Sequence, residues 1–258
     1  MNHFIWSVNP IAISIGSLHV FWYGILFATA ILSGLEFMKW VFKQEGKNIE
    51  MLDSMFVYIV VGIIVGARLG HCFFYDPSFY LAHPLKIFAV WEGGLASHGG
   101  GLGVIIALYL YVKKYKLNFL WLLDRVAIPT ALFGFFVRLG NFMNSEIVGS
   151  PSDVSWAVVF SRVDSLPRHP AQLYESFSYL LIFLFLTYIY INYRKKLKNG
   201  TLFGLFLTLV FSVRFLVEFV KVKQADYDTS FLMMSTGQAL SIPFLLLGFY
   251  LIFFHSKK

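Results

Sequence analysis

Apolar runs long enough to cross a lipid bilayer recur along this sequence, and they settle its class before any single residue is weighed. A helix needs about 20 mainly apolar residues to traverse the hydrocarbon core. Runs of that kind lie near 18–38, 54–75, 95–112, 120–143, 174–193, 201–222 and 232–254. Only 14% of the 258 residues are charged, against roughly a quarter in a soluble domain. The sequence predicts an all-α polytopic membrane protein with seven transmembrane helices. It also predicts a single membrane domain over residues 1–258, with a small polar insert at about 144–172 between helices 4 and 5.

The net charge of +7 does not argue for nucleic acid, because basic residues also gather in cytoplasmic loops and no soluble region is large enough to present a basic face. The single cysteine, Cys72, excludes an internal disulfide and a multi-cysteine metal site; it reads as a small core residue. No Lys or Arg precedes the first run, so that run lacks a signal-peptide charge pattern and is expected to be retained. No internal repeat is evident.

The basic residues set an orientation. With sides alternating, one side collects those of segments 39–47, 113–116 and 194–198 together with Lys257 and Lys258. The other holds Lys86, Arg162, Arg168, Lys221 and Lys223. The positive-inside rule makes the richer side cytoplasmic, which places the N-terminus outside, the C-terminus inside and the 144–172 insert on the extracytoplasmic face.

Four arginines remain in or at the edges of the runs. Arg125 lies near the cytoplasmic start of the fourth, where it can snorkel to headgroups. Arg68, Arg138 and Arg214 fall in the outward halves of their runs, Arg138 about 8 Å short of the outer end at helical rise. His98 and Tyr23 lie near outer starts, and Glu218 follows Arg214 at i+4, a spacing that allows an ion pair on one face. Each intramembrane arginine costs about 2.5–3.5 kcal/mol on an insertion scale. Three arginines and a histidine against one clear carboxylate leave a positive field that favours an anion at outer-leaflet depth. A phosphate suits it, since the planar arginine fork gives two parallel hydrogen bonds to phosphate oxygens, and the abundant phosphates at that depth belong to phospholipids.

The segment "RLGNFMNSEIVG", Arg138–Gly149, abruptly ends an uncharged run. Arg138 and Asn141 share a helix face at i+3, Asn144 and Glu146 follow at the helix exit, and Gly140 and Gly149 permit close packing. In "SHGGGLG", His98 is followed by Gly99 and Gly100 at a helix start, where free N–H groups could meet an anion, or where the glycines could simply pack helices together. His98 is the histidine whose depth suits a proton acceptor. His169, Gln172, Tyr174 and Glu175, in "RHPAQLYES", read as capping and docking residues of the fifth helix, which Pro170 can start.

Six segments in order resemble the motifs of the prolipoprotein diacylglyceryl transferase family: "FWYGILFA", "GARLGHCFFYDP", "WEGGLASHGGGLG", the Arg138–Gly149 signature, "RHPAQLYES" and "FSVRFLVEFVK". The chain departs from the pattern at Phe21, where a basic residue or histidine is usual, at Phe135–Val137 before the signature, at His71 and at Val210. The resemblance implies a multi-pass protein of the bacterial cytoplasmic (inner) membrane whose active site faces the outer leaflet. Its partners would be phosphatidylglycerol, preprolipoprotein lipobox peptides and membrane lipids, with no cofactor, metal or nucleic acid. Arg138 and Arg214 would bind the phosphate. His98 would activate the incoming thiol or position the lipid, with Tyr23 nearby. Asn141, Asn144, Glu146, Gly149, Glu218, Arg68, Gly99 and Gly100 would shape the site.

Three other classes compete. An anion transporter would place its site near the midplane between repeated halves, which the off-centre charges and missing repeat disfavour. A retinal photoreceptor would need a lysine within the last run, and none is there. A lipid-binding scaffold would share the pocket without turnover.

Overall fold

The computed structural model describes residues 3–94, 96–222 and 234–255, with all their side chains except those of Ser97 and His98. Lys223, Lys257 and Lys258, used in the charge count, lie outside the described residues. The protein is mostly helical. Six of its described helices are long and apolar enough to cross a membrane, starting with α1 (Trp22–Gln44) and α2 (Glu50–Phe74) and continuing with α5 (Phe119–Met143), α6 (Ala171–Tyr193), α7 (Thr201–Val217, extended by a 3-10 turn to Val220) and α8 (Thr236–Phe253). The expected third run is helix α4 (Ser97–Tyr115), which is not among those six; α3 (Pro77–Ala82) is a short surface helix.

Two features differ from an all-α chain. Residues expected to open the first helix instead form strand β3 (Leu18–Phe21), which pairs antiparallel with β2 (Ile11–Ile15) around Gly16. The β-branched and aromatic content of Ile11–Phe21 suits a strand, and α1 therefore starts at Trp22. In addition, β1 (Phe4–Trp6) runs parallel to β4 (Val158–Phe160), which pairs antiparallel with β5 (Pro167–Arg168). The insert thus contributes β4 and β5 to a three-stranded patch with β1, over a small core of Phe142, Val158 and Phe160 closed by Trp6, Val148 and Leu173.

The chain divides into two compact units, residues 1–38 with 123–258, and residues 39–122. In the larger one, Asp124 on α5 accepts from the backbone N–H groups of Gly200 and Phe203, both at 2.8 Å. A side chain from another helix thereby satisfies the N–H groups that the start of α7 leaves unpaired. Arg125 does not snorkel. It is buried, 3.6 Å from Asp124 and over the Tyr190 ring, because the neighbouring carboxylate and aromatic ring offer it a partner inside the protein. The start of α8 carries a reciprocal cap, Ser235 with Gln238.

The smaller unit is organised by glycine. On α2, Gly62, Gly66 and Gly70 recur every fourth residue and meet Gly99 and Gly103 of α4 backbone to backbone: a Cβ on Gly99 would lie 2.3 Å from the Gly66 carbonyl oxygen. Small residues at this spacing let membrane helices approach closely. Cys72 is fully buried here.

Candidate functional site

The larger unit gathers its polar side chains along one face of α6. Gln172, Glu175, Ser176 and Tyr179 fall at i, i+3, i+4 and i+7, on one helical stripe, and all four are buried. In a helix surrounded by apolar surface, such residues must turn inward to find partners. They find them on α5 and its exit. The Ser176 hydroxyl donates to the Phe135 carbonyl at 3.0 Å, and the Gln172 amide donates to the Glu146 carbonyl at 2.5 Å.

Glu175 meets the charges. Its Oε2 lies 3.0 Å from Nε of Arg138, and its Oε1 accepts from the Lys221 ammonium at 2.9 Å. Tyr179 stands 3.5 Å from the same Oε1. Lys221 is also 3.7 Å from Glu218, whose other oxygen accepts from the Ser235 hydroxyl at 3.1 Å. A carboxylate with no exposed surface thus links a cation of α5 to one beyond α7.

The expected pairing of Arg214 with Glu218 is absent. Regular α-helix ends at Val217, Glu218 opens the 3-10 turn, and its carboxylate is taken by Ser235 and Lys221. The Arg214 side chain has no hydrogen-bond or ion-pair partner among the described residues; its charge acts on Tyr179. The surplus positive charge read from the sequence is therefore not shared by Arg138, which Glu175 compensates. It rests on Arg214.

After α5 the chain turns sharply around Glu146. Arg138 donates to Asn141 Oδ1 at 3.4 Å, and the amides of Asn141 and Asn144 donate to the two oxygens of Glu146 at 3.3 and 3.1 Å. Ser145 and Ile147, on either side, have φ of 57° and 55°. A left-handed conformation is unusual for any side chain and strained for a β-branched one; such strain persists where surrounding contacts over-determine it. Here those contacts are the Asn pair, the Gln172 bond and the backbone bond from Glu146 N–H to the Asn141 carbonyl at 2.9 Å.

Two glycines admit neighbours to this turn. A Cβ on Gly140 would lie 2.7 Å from the Tyr23 ring, so Tyr23 packs directly on α5, within electrostatic range of Arg138 and Glu146. Gly149 donates to the His169 carbonyl at 3.0 Å and has no room for a side chain between His169 and Val220. Arg168 reaches the Gly149 carbonyl at 3.2 Å and pairs with Asp164. That guanidinium holds the Asp164 carboxyl below the usual carboxylate range. His169 Nδ1 faces the Tyr174 hydroxyl at 3.1 Å, and Trp156 donates to the same hydroxyl at 2.7 Å.

The remaining expected residues belong to the smaller unit. Arg68 is buried and donates to the carbonyls of Lys86, Ile87, Gly93 and Gly94 while lying over the Tyr80 ring, so it organises the 84–94 segment. Gly99 packs on α2, and a Cβ on Gly100 would contact Ala67 and Ile63. His98 lies in the first turn of α4; its side chain is outside the described residues.

Sequence reading under-weighted Glu175 and passed over Lys221. The stripe Gln172–Glu175–Ser176–Tyr179 was the available signal: four polar groups on one face of an otherwise apolar helix have no ordinary reason to be there.

Fold and site together define a multi-pass helical membrane protein with a buried arginine–carboxylate network at the α5 exit. The family model for prolipoprotein diacylglyceryl transferase matches residues 10–254. A protein of Tolumonas auensis named phosphatidylglycerol–prolipoprotein diacylglyceryl transferase is 53% identical over 98% of each chain. Proteins of the same name are 49% identical in Chloroherpeton thalassium, over all of this chain and 96% of the relative, and 44% identical in Bacteroides fragilis, over 98% and 95%. The chain belongs to the prolipoprotein diacylglyceryl transferase family.

Proposed function

We propose that this protein transfers the diacylglyceryl group of phosphatidylglycerol to the lipobox cysteine thiol of preprolipoproteins. The observation that carries the reading is the whole-length similarity to relatives named for this activity. The site geometry supports it. Arg214, with no partner among the described residues, and Arg138, oriented by Glu175, suit a phosphodiester.

In the reaction the thiol loses its proton, the sulfur attacks the diacylglyceryl carbon that bears the phosphate, a C–S bond forms and the C–O bond breaks. The electron pair leaves on the phosphate oxygen as glycerol 1-phosphate. A thiolate is the effective nucleophile, and positive groups near the departing phosphate stabilise the charge that develops there. Arg138 and Arg214 take that part. His98 accepts the thiol proton or positions the lipid, and Tyr23 lies beside the Arg138 network. Asn141, Asn144, Glu146, Gly149 and Glu218 hold the site, while Arg68, Gly99 and Gly100 order the segments around His98.

The full architecture belongs to the same reading: a single membrane domain of seven spans with α4 as the third, N-terminus outside and C-terminus cytoplasmic. The 144–172 head is extracytoplasmic and the site faces the outer leaflet of the bacterial inner membrane. The positive-inside distribution supports it.

The test mixes purified protein, phosphatidylglycerol and a lipobox peptide and weighs the peptide by mass spectrometry. A gain of one diacylglyceryl group, absent when the peptide cysteine is serine, is expected. Intact lipid binding without any gain, beside an active family enzyme, would leave a lipid-binding or transport protein.

A further inference from the structure

We infer that Glu175 is a positioning residue for phosphate recognition, acting through Arg138; the inference rests on the reading that Arg138 binds the lipid phosphate. Three observations carry it. Glu175 has no exposed surface, so its negative charge serves groups inside the protein and not solvent. It faces the Nε edge of Arg138 at 3.0 Å, while Asn141 accepts from Nη1 at 3.4 Å. A guanidinium carries five N–H groups in a rigid fork; Asn141 takes one, the Tyr179 hydroxyl lies within reach of another, and the Glu175 ion pair holds the Nε edge, which leaves the remaining N–H groups for oxygens of a phosphate. Its second oxygen holds the Lys221 ammonium at 2.9 Å, so one carboxylate sets the spacing between two cations that would otherwise repel.

The placement of Glu175 follows from the α6 stripe. Gln172 one turn earlier and Ser176 one residue later are each bonded to the α5 side, at Glu146 and Phe135. These bonds fix the rotation of α6 about its axis and point Glu175 at Arg138. Without the negative charge, Arg138 keeps only the uncharged Asn141 and Tyr179 side chains beside it, and Lys221 keeps only the more distant Glu218. The arginine then retains its charge and loses its orientation, which matters because two-point recognition of phosphate depends on the plane of the fork.

The experiment is a double-mutant cycle on lipid binding. Full-length protein in phosphatidylcholine nanodiscs is titrated with a fluorescent short-chain phosphatidylglycerol, with Glu175→Gln made alone and in an Arg138→Lys background. Glu175→Gln is expected to weaken binding about tenfold in the wild-type background and to change it less than about twofold beside Arg138→Lys, since residues acting as one unit are non-additive. Equal losses in both backgrounds, or no loss in the first, would overturn the inference, because a general packing defect would not depend on Arg138. If Glu175→Gln does not fold, the pair Glu175→Gln with Lys221→Met removes the stranded ammonium as well. It should fold and still bind weakly; wild-type affinity in that pair would refute positioning. The peptide-transfer assay on unaltered protein is read separately, so a wild type that binds but never transfers refutes the transferase reading and not the coupling.

Discussion

The side-chain amide of Gln172, buried on α6, donates to the backbone carbonyl of Glu146 at 2.5 Å. This single bond ties the start of one helix to the strained turn that leaves another. Gln172→Leu keeps the volume and removes the donor, leaving a carbonyl short of its partner at a cost of about 1–3 kcal/mol. A lower thermal midpoint in a fixed detergent, with transfer falling further than the loss of folded protein explains, is the expected result.

Ile147 gives a prediction of opposite sign for stability. Its φ of 55° suits glycine, and relieving a left-handed β-branched residue is worth about 1–2 kcal/mol, offset in part by glycine's greater freedom in the unfolded chain. Ile147→Gly is therefore expected to match or exceed the wild-type thermal midpoint while lowering transfer, since Glu146 is then less firmly fixed. Equal activity would mean that the strain has no bearing on the site.

How much of this was readable beforehand depends on the range of the interaction. Six of the expected spans were legible because each is a local property of its own residues, and the i+3 pairing of Arg138 with Asn141 was legible for the same reason. The pairing of β1 with β4 joins residues about 150 positions apart, and a three-residue strand carries no pattern that could announce it. Spacing misled at Glu218: its N–H does bond the Arg214 carbonyl one turn back, but its carboxylate is taken by Ser235 and Lys221, partners that i+4 spacing cannot reveal. Glu175 was visible as a charge near a helix start, where the helix dipole alone would account for it; its real partners come from α5 and from beyond α7.

The glycines of α2 and α4 divide into those that touch and those that do not. A Cβ on Gly66 would lie 2.4 Å from the Gly99 carbonyl oxygen, whereas nothing lies within 4 Å of one on Gly101. Backbone cannot yield as a side-chain tip does, so Gly66→Ala is expected to cost about 1–3 kcal/mol, as overpacking usually does. Gly101→Ala should be neutral or slightly stabilising through its better helix propensity. Thermal midpoints of the two variants check the contrast.

Asp164 sets an acid limit on the insert. Its pKa is depressed in the folded protein by Arg168, so the stabilisation is present above the unfolded value of about 3.9. It is lost as pH falls through the lower folded value. The difference in thermal midpoint between wild type and Asp164→Asn should be constant near neutral pH and shrink below about pH 4. A difference that persists at low pH would show that the pair contributes by packing instead of charge.

Arg138 and Arg214 should fail in different ways. Both are proposed to bind phosphate, yet Arg138 is paired with a fully buried carboxylate and Arg214 has no partner among the described residues. Removing one member of a buried pair typically costs about 3–5 kcal/mol, because the other charge is left behind; in Arg138→Met that charge is Glu175, with Lys221 as partial relief. Arg214→Met strands nothing and removes a part-buried cation with no partner among the described residues, so its stability should be unchanged or higher. Transfer should collapse in both, while the thermal midpoint falls only in Arg138→Met. Equal destabilisation by the two would mean that Arg214 is held by partners outside the described residues, and the surplus charge assigned to it would have to be sought elsewhere.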